Sequence, residues 1–155
     1  MKKPSASELI RLLDLAPLPE EGGWYRVTWK SSSGSAIFYL VTSDLHGFSA
    51  FHVLGTDEIY HFYAGDPVEL HLLHPEGSHE TRILGSRPER GETPQTVAPA
   101  GAVQGSRLVG GGEYALLGTT MAPAFEQDDF HLSTRAELLA RFPGCQEIIS
   151  ALTRG

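Results

Sequence analysis

Between Trp24 and Leu132 the chain breaks into short runs that are apolar throughout or alternate apolar with polar, separated by turn-forming residues. Such a rhythm is the signature of strands. It predicts strands over Trp24–Trp29, Ser35–Val41, Phe48–Leu54, Glu58–Tyr63, Val68–Leu73, Glu80–Leu84, Gln95–Ala98, Gly112–Met121 and Asp129–Leu132. Ser32-Ser33-Gly34, His46-Gly47, Gly55-Thr56-Asp57, Gly65-Asp66-Pro67 and Pro75-Glu76-Gly77 punctuate them. Turns at this regular spacing predict an all-β sandwich or barrel.

The two ends read as helices. Ser5-Ala6-Ser7-Glu8 has capping-box spacing, and Leu9, Leu12 and Leu13 follow at helical intervals until Pro17 and Pro19. Thr134-Arg135-Ala136-Glu137 repeats the box ahead of Leu138, Leu139 and Phe142, and Pro143-Gly144 stops that helix. One more helical turn is expected from Glu147 to Leu152. Gly85–Pro94 is the most polar stretch and predicts a long loop. With 155 residues and no internal repeat, a single domain over residues 1–155 is expected.

Charge removes whole classes of partner. Lys plus Arg number 12 against 19 Asp plus Glu, and no dense basic run exists, so nucleic acid and anionic membranes are poor partners. The single cysteine, Cys145, excludes an intrachain disulfide and a cysteine-rich zinc site. No run approaches the roughly 18 apolar residues of a membrane span. No stretch reads as a signal peptide, so the expected location is the cytoplasm.

Candidate chemistry concentrates between residues 46 and 74. Strand alternation puts Phe48, Ala50, His52 and Leu54 on one face of their run, with Ser49, Phe51 and Val53 on the other. In the next run Glu58, Tyr60 and Phe62 share a face, and Ile59, His61 and Tyr63 the opposite one. His52 and Glu58 then face the same way, and a paired carboxylate would orient the imidazole as a general base requires. A buried polar pair without catalytic work would have the same pattern. His61 is expected to be hydrogen-bonded between sheets or at an interface. Surface or structural roles are expected for His46, His71, His74, His79 and His131. Glu126 with Asp128-Asp129 reads as an exposed acidic turn, and Gly110-Gly111-Gly112 as a hairpin turn. Glu20-Glu21 before Gly22-Gly23 could close a pocket mouth, although glycine pairs more often only permit a bend.

These residues carry a resemblance. Gly47, His52, Glu58 and Gly65 are similar to the first sequence motif of the cupin superfamily, with Leu54 at the place of its second histidine. Pro99-Ala100-Gly101 followed by Gln104 resembles the second motif, with glutamine for histidine. The chain is closer still to the cupin-like domain-of-unknown-function subgroup. Pro19–Tyr25, Phe48–His52, Asp57–Pro67, His74–Gly77, Val97–Gly101 and Gly112–Gly118 carry its hallmarks, so the similarity covers about residues 8 to 150. The resemblance implies a double-stranded β-helix, that is a jelly-roll barrel, usually as a dimer.

The resemblance also frames the chemistry. A metal-dependent cupin presents three histidines and a glutamate, which suit Fe, Mn, Ni, Cu or Zn. The matched positions here read His52, Leu54, Glu58 and Gln104, so no metal and no other cofactor is expected. The expected function is binding of a small polar metabolite in the barrel by His52, Glu58, Tyr60, Phe62 and Gln104. Similarity to epimerase and isomerase cupins implies proton abstraction beside a carbonyl, as on a sugar derivative. His52 would be base, Tyr60 acid and Glu58 orienter. A non-catalytic binding module and a metal-dependent enzyme remain the alternatives. A homodimer is expected, with Phe51, Val53, Ile59 and Tyr63 on its outer, partner-facing side.

Overall fold

The computed structural model describes residues 2–155. Ser5 caps α1 (Ala6–Leu12) through the reciprocal box with Glu8. The strands that follow are β1 (Ala16–Pro17), β2 (Trp24–Lys30), β3 (Ser35–Thr42), β4 (Ser49–Leu54), β5 (Glu58–Gly65), β6 (Val68–Leu73), β7 (His79–Leu84), β8 (Gln95–Ala98), β9 (Val103–Leu108), β10 (Tyr114–Met121) and β11 (Phe130–Leu132). Thr134 caps α2 (Arg135–Arg141), and α3 (Gln146–Ala151) follows. The strands form two antiparallel sheets, ordered β1-β2-β3-β10-β5-β8 and β11-β4-β9-β6-β7. Strands adjacent in space are mostly distant in sequence, which is the wrapping of a jelly-roll barrel.

Alternation along each strand fills the interior. Tyr39 and Val41 of β3, Tyr60 of β5, Leu70 and Leu72 of β6 and Ala115 and Leu117 of β10 meet between the sheets with almost no exposure. This plug closes one end of the barrel. The other end, where β3 and β5 begin and β10 finishes, stays open around a cavity.

Helices cover part of each outer face. Leu9, Ile10 and Leu13 from α1 and its exit pack on Leu40, Tyr114 and Leu116 of the first sheet. Leu138, Phe142, Ile149 and Leu152 pack on Phe51, Leu73 and Val103 of the second. This corrects the expectation that Phe51 and Val53 await a partner. Phe51 is fully buried beneath α2 and α3, and Val53 packs beside it.

β9 is a strand that the alternation did not predict. Its middle reads Gln104-Gly105-Ser106, with too few apolar residues to signal a strand. The reason is steric. A Cβ on Gly105 would stand 2.8 Å from the Phe51 ring, so the glycine is the space into which that ring packs. At another discrepancy, Gly112 lies in the turn and β10 begins at Tyr114. There Asp66 accepts from the backbone N–H groups of Glu113 and Tyr114.

Candidate functional site

The site is built around an irregularity in β4. Ser49 pairs with Ser106 and His52 with Gln104, so three steps on β4 match two on β9. The extra residue is a β-bulge, and it resets the alternation. Ser49 joins His52 on the inner side, and Phe48 turns outward to pack with the α2–α3 cluster. This corrects the faces assigned to Phe48 and Ser49 by strict alternation. The bulge also frees backbone donors. The Ala50 N–H goes to the Glu21 carbonyl at 2.7 Å, and the Phe51 N–H to the Leu152 carbonyl at 2.8 Å.

The first of those bonds fixes a loop that brings a second carboxylate into the site. Glu20 has φ +66°, and Gly22 and Gly23 have φ +99° and +76°. A Cβ on Gly22 would stand 2.3 Å from the Phe48 carbonyl, so a side chain does not fit there. The Tyr39 hydroxyl donates to the Gly22 carbonyl at 2.6 Å. The Glu21 side chain therefore enters the barrel. Ser49 donates to its Oε2 at 3.2 Å, and His52 Nε2 lies 3.6 Å from its Oε1.

His52 is 1% exposed and stacks on the Phe130 ring at 5.2 Å. Its Nδ1 lies 2.7 Å from the Ala50 carbonyl, which can only accept, so Nδ1 carries the proton and Nε2 faces Glu21. The carboxylate expected beside His52 was Glu58; the one within 4 Å of its ring is Glu21. Strand alternation could not reach Glu21, because it lies on a loop. The signal available was the Glu-Glu-Gly-Gly sequence, where paired glycines permit a turn too tight for side chains.

The cavity measures about 400 Å³ and has aromatic walls from Tyr25, Tyr39, Tyr60, Phe125 and Phe130. Glu20, Glu21, Glu58, Ser35 and Thr119 add polar groups, and Lys30 and Gln127 also line it. Of the residues read from strand alternation, Glu58 and Tyr60 line this space, as do Glu20 and Glu21 from the loop read as a pocket mouth. His52 and Gln104 lie behind that lining, each 1% exposed. Phe62 packs against the core between the sheets rather than the cavity. The Tyr60 hydroxyl donates to Gln104 Oε1 at 2.5 Å.

Burial dominates the electrostatics. It pushes the Glu58 carboxyl above its ordinary value, and the Glu21 charge adds to the rise. The His52 ring and the hydroxyls of Thr119 and Tyr60 pull it back only in part. Burial, and then the charges of Glu58 and Glu21, push the Tyr60 phenol well above the ordinary range. Tyr39 is pushed the same way by burial and by Glu21. Both phenols therefore stay protonated and act as donors.

A transition metal of the kind metal-dependent cupins hold does not fit these side chains. Leu54 lines the cavity where a second motif histidine would stand, and Gln104 accepts from Tyr60. Among the described residues no three His, Cys, Asp or Glu side chains converge to hold an ion. Other histidines lie outside the cavity. His61 bonds Thr120 at 2.9 Å on the outer face of the first sheet. His71 and His79 approach to 3.0 Å across β6 and β7, with Glu69 beside His71. Asp128 and Asp129 sit on an exposed turn before β11.

Comparison with known proteins agrees with this architecture. The model of the family described as "Cupin superfamily (DUF985)" matches residues 7–133. The crystal structure of protein SO0799 from Shewanella oneidensis is similar, with TM-score 0.90, 32% identity, and coverage of 98% of this chain and 99% of that one. A hypothetical protein from Leishmania major gives TM-score 0.91 at 28% identity, covering 98% of this chain and all 100% of its own. Oxalate decarboxylase from Bacillus subtilis shares the fold, with TM-score 0.59 at 15% identity over 90% of this chain and 38% of the enzyme. Among curated proteins no relative matches the sequence. The bulged β4, the Glu58 position on β5 and the glycines that flank them are thus set in a barrel of known kind, and the chain belongs to the cupin superfamily, in the family designated DUF985.

Proposed function

We propose that the barrel binds a small neutral or cationic polyhydroxy metabolite, of the sugar type, and moves a proton on it without a metal. The supporting observation is that Glu21 and Glu58 line one cavity of about 400 Å³ while burial raises the Glu58 carboxyl. Two carboxyl groups in different environments are the usual means of placing an acid and a base side by side. Glu21 takes the proton from a carbon beside a carbonyl, and the C–H electron pair becomes the C=C bond of an enediol. Glu58, in its acid form, gives a proton to the carbonyl oxygen. Return of the protons to the other carbon or the other face completes an isomerisation or epimerisation.

The remaining groups have supporting roles in this reading. His52 and Ser49 hold the Glu21 carboxylate. Tyr60, bonded to Gln104, forms a donor-bearing wall rather than the acid that strand alternation suggested. The ligand class follows from charge. Three acidic side chains line the cavity, and Lys30, the basic lining residue among those described, pairs with Glu126 at 3.8 Å. An anionic ligand meets repulsion there, whereas sugar hydroxyls find acceptors, and C–H faces find aromatic rings.

The test is incubation with a panel of neutral aldoses, ketoses and amino sugars in D₂O, read by mass spectrometry and NMR. Deuterium on a carbon beside a carbonyl, lost in Glu58→Gln and in Glu21→Gln, is the expected result. Thermal stabilisation by a panel member without deuterium uptake would favour the second reading, a binding module without chemistry.

A further inference from the structure

We infer that Arg154, which follows α3, is the positioning residue that holds Glu21 in the cavity. Its guanidinium Nε donates to the Glu20 carbonyl at 2.9 Å. One terminal nitrogen donates to the Glu21 carbonyl at 3.1 Å and to the Phe48 carbonyl at 3.2 Å. The group lies 4.1 Å over the Phe48 ring. One planar cation thus joins the Glu20–Glu21 loop to Phe48, the residue that leads into β4 and its bulge. Its planar fork of donors is pre-organised for the three carbonyls, whereas an ammonium on a flexible stem is not.

The anchor is itself held in place. Thr153 is buried, and its hydroxyl donates to the Ile149 carbonyl at 2.6 Å. Arg135 of α2 donates to the Thr153 hydroxyl at 2.8 Å and to the Thr153 carbonyl at 3.1 Å. Leu152 is fully buried against Phe51 and accepts the Phe51 N–H. Gly22 leaves room for the guanidinium, because a Cβ there would lie 2.0 Å from the Arg154 terminal nitrogen. With φ positive at Glu20, Gly22 and Gly23, the loop is held in a conformation that ordinary side chains disfavour. The glycines take these angles freely, Glu20 does not, and hydrogen bonds from Ala50, Tyr39 and Arg154 hold the loop there. The segment that follows α3 reaches the loop through this one side chain.

The inference deepens the proposed acid–base reading, but its readout does not depend on that reading. The His52 ring faces Glu21, so its ¹H and ¹⁵N resonances report where the carboxylate sits. These resonances are identified by their loss in His52→Gln. Glu21→Gln sets the size and direction of the change when the carboxylate is removed. Arg154→Met keeps an unbranched apolar side chain and removes the guanidinium with every donor. It is expected to reproduce most of the displacement seen in Glu21→Gln, and Arg154→Lys should return the ring part of the way to wild type. Arg154→Met that melts earlier yet keeps wild-type His52 resonances would overturn the inference, leaving Arg154 as a tail anchor only. If Arg154→Met does not fold, Arg154→Lys decides the matter: a ring unmoved from wild type despite its poorer fork would count against the inference. Displaced His52 resonances with undiminished deuterium uptake would uphold the positioning role and sink the acid–base reading instead.

Discussion

Ser49 and His52 stand three residues apart in β4, and both reach the same Glu21 carboxylate. In a regular strand residues three apart point to opposite faces. The bulge opposite β9 makes this convergence possible. It also turns Phe48 outward, where the Arg154 guanidinium rests on its ring. A single extra residue therefore arranges both the inner polar cluster and its outer support.

The raised Glu58 carboxyl predicts a pH-dependent penalty. A carboxyl raised by folding contributes stability that is fully present below its ordinary value of 4.5 and is lost as pH rises through the folded value. Glu58→Gln removes the ionisation and keeps a hydrogen-bonding amide. Its melting temperature should therefore gain on the wild type as pH rises from 4.5 to neutrality. A difference that stays flat or shrinks across this range would show that Glu58 ionises without penalty.

Removing the Tyr60 hydroxyl should leave the buried Gln104 oxygen without its donor. Tyr60→Phe is expected to lose about 1–3 kcal/mol in urea unfolding. Adding Gln104→Leu should recover part of that loss, since no amide then needs a partner. A double variant that is the sum of two independent losses would argue against the bond.

Gly105→Ala should drive its methyl into the Phe51 ring. Overpacking of this kind costs about 1–3 kcal/mol. Phe51→Leu shortens the ring side and should lessen the effect of the added methyl, measurable as a coupling in a double-mutant cycle. Strict additivity would mean that the two sites do not touch.

The outer face of the first sheet keeps Trp29, Tyr63 and Val97 exposed at 51%, 54% and 41%. We expect a second copy of the chain to cover this face. Sedimentation should give about twice the chain mass of 16.8 kDa, and Trp29→Glu with Tyr63→Glu should return the monomer. A wild-type monomer at micromolar concentration would end this expectation.

Much of the barrel was legible because its signals are local. Ser5 forms its full capping box, Thr134 caps α2 by accepting from the Glu137 N–H, and the alternating runs became strands to within a residue or two at most ends. The failures came from elements that depend on distant residues. Gly105 hid β9 because its missing side chain is meaningful only beside Phe51, more than fifty residues earlier. Alternation assigned Phe48 and Ser49 to the wrong faces because a bulge leaves no mark in the polar pattern. Phe51 and Val53 looked like a partner's footprint because the cover comes from helices that follow the last strand. At the site, Glu58 and Tyr60 were readable from alternation along β5. Glu21 was visible only as a loop residue before two glycines.

The link between Arg154 and Glu21 spans 133 positions in the chain. Contacts that close so large a loop form late, once the surrounding structure has shortened the distance between their ends. The partners of Arg154 are carbonyls on a loop and on the residue that leads into the bulged β4, so they come into place with the pairing of β4 and β9. In refolding, the barrel should therefore regain its strands before its cavity acquires the Glu21 carboxylate. The His52 environment would mature in a step of its own, later than the far-ultraviolet signal of the sheets.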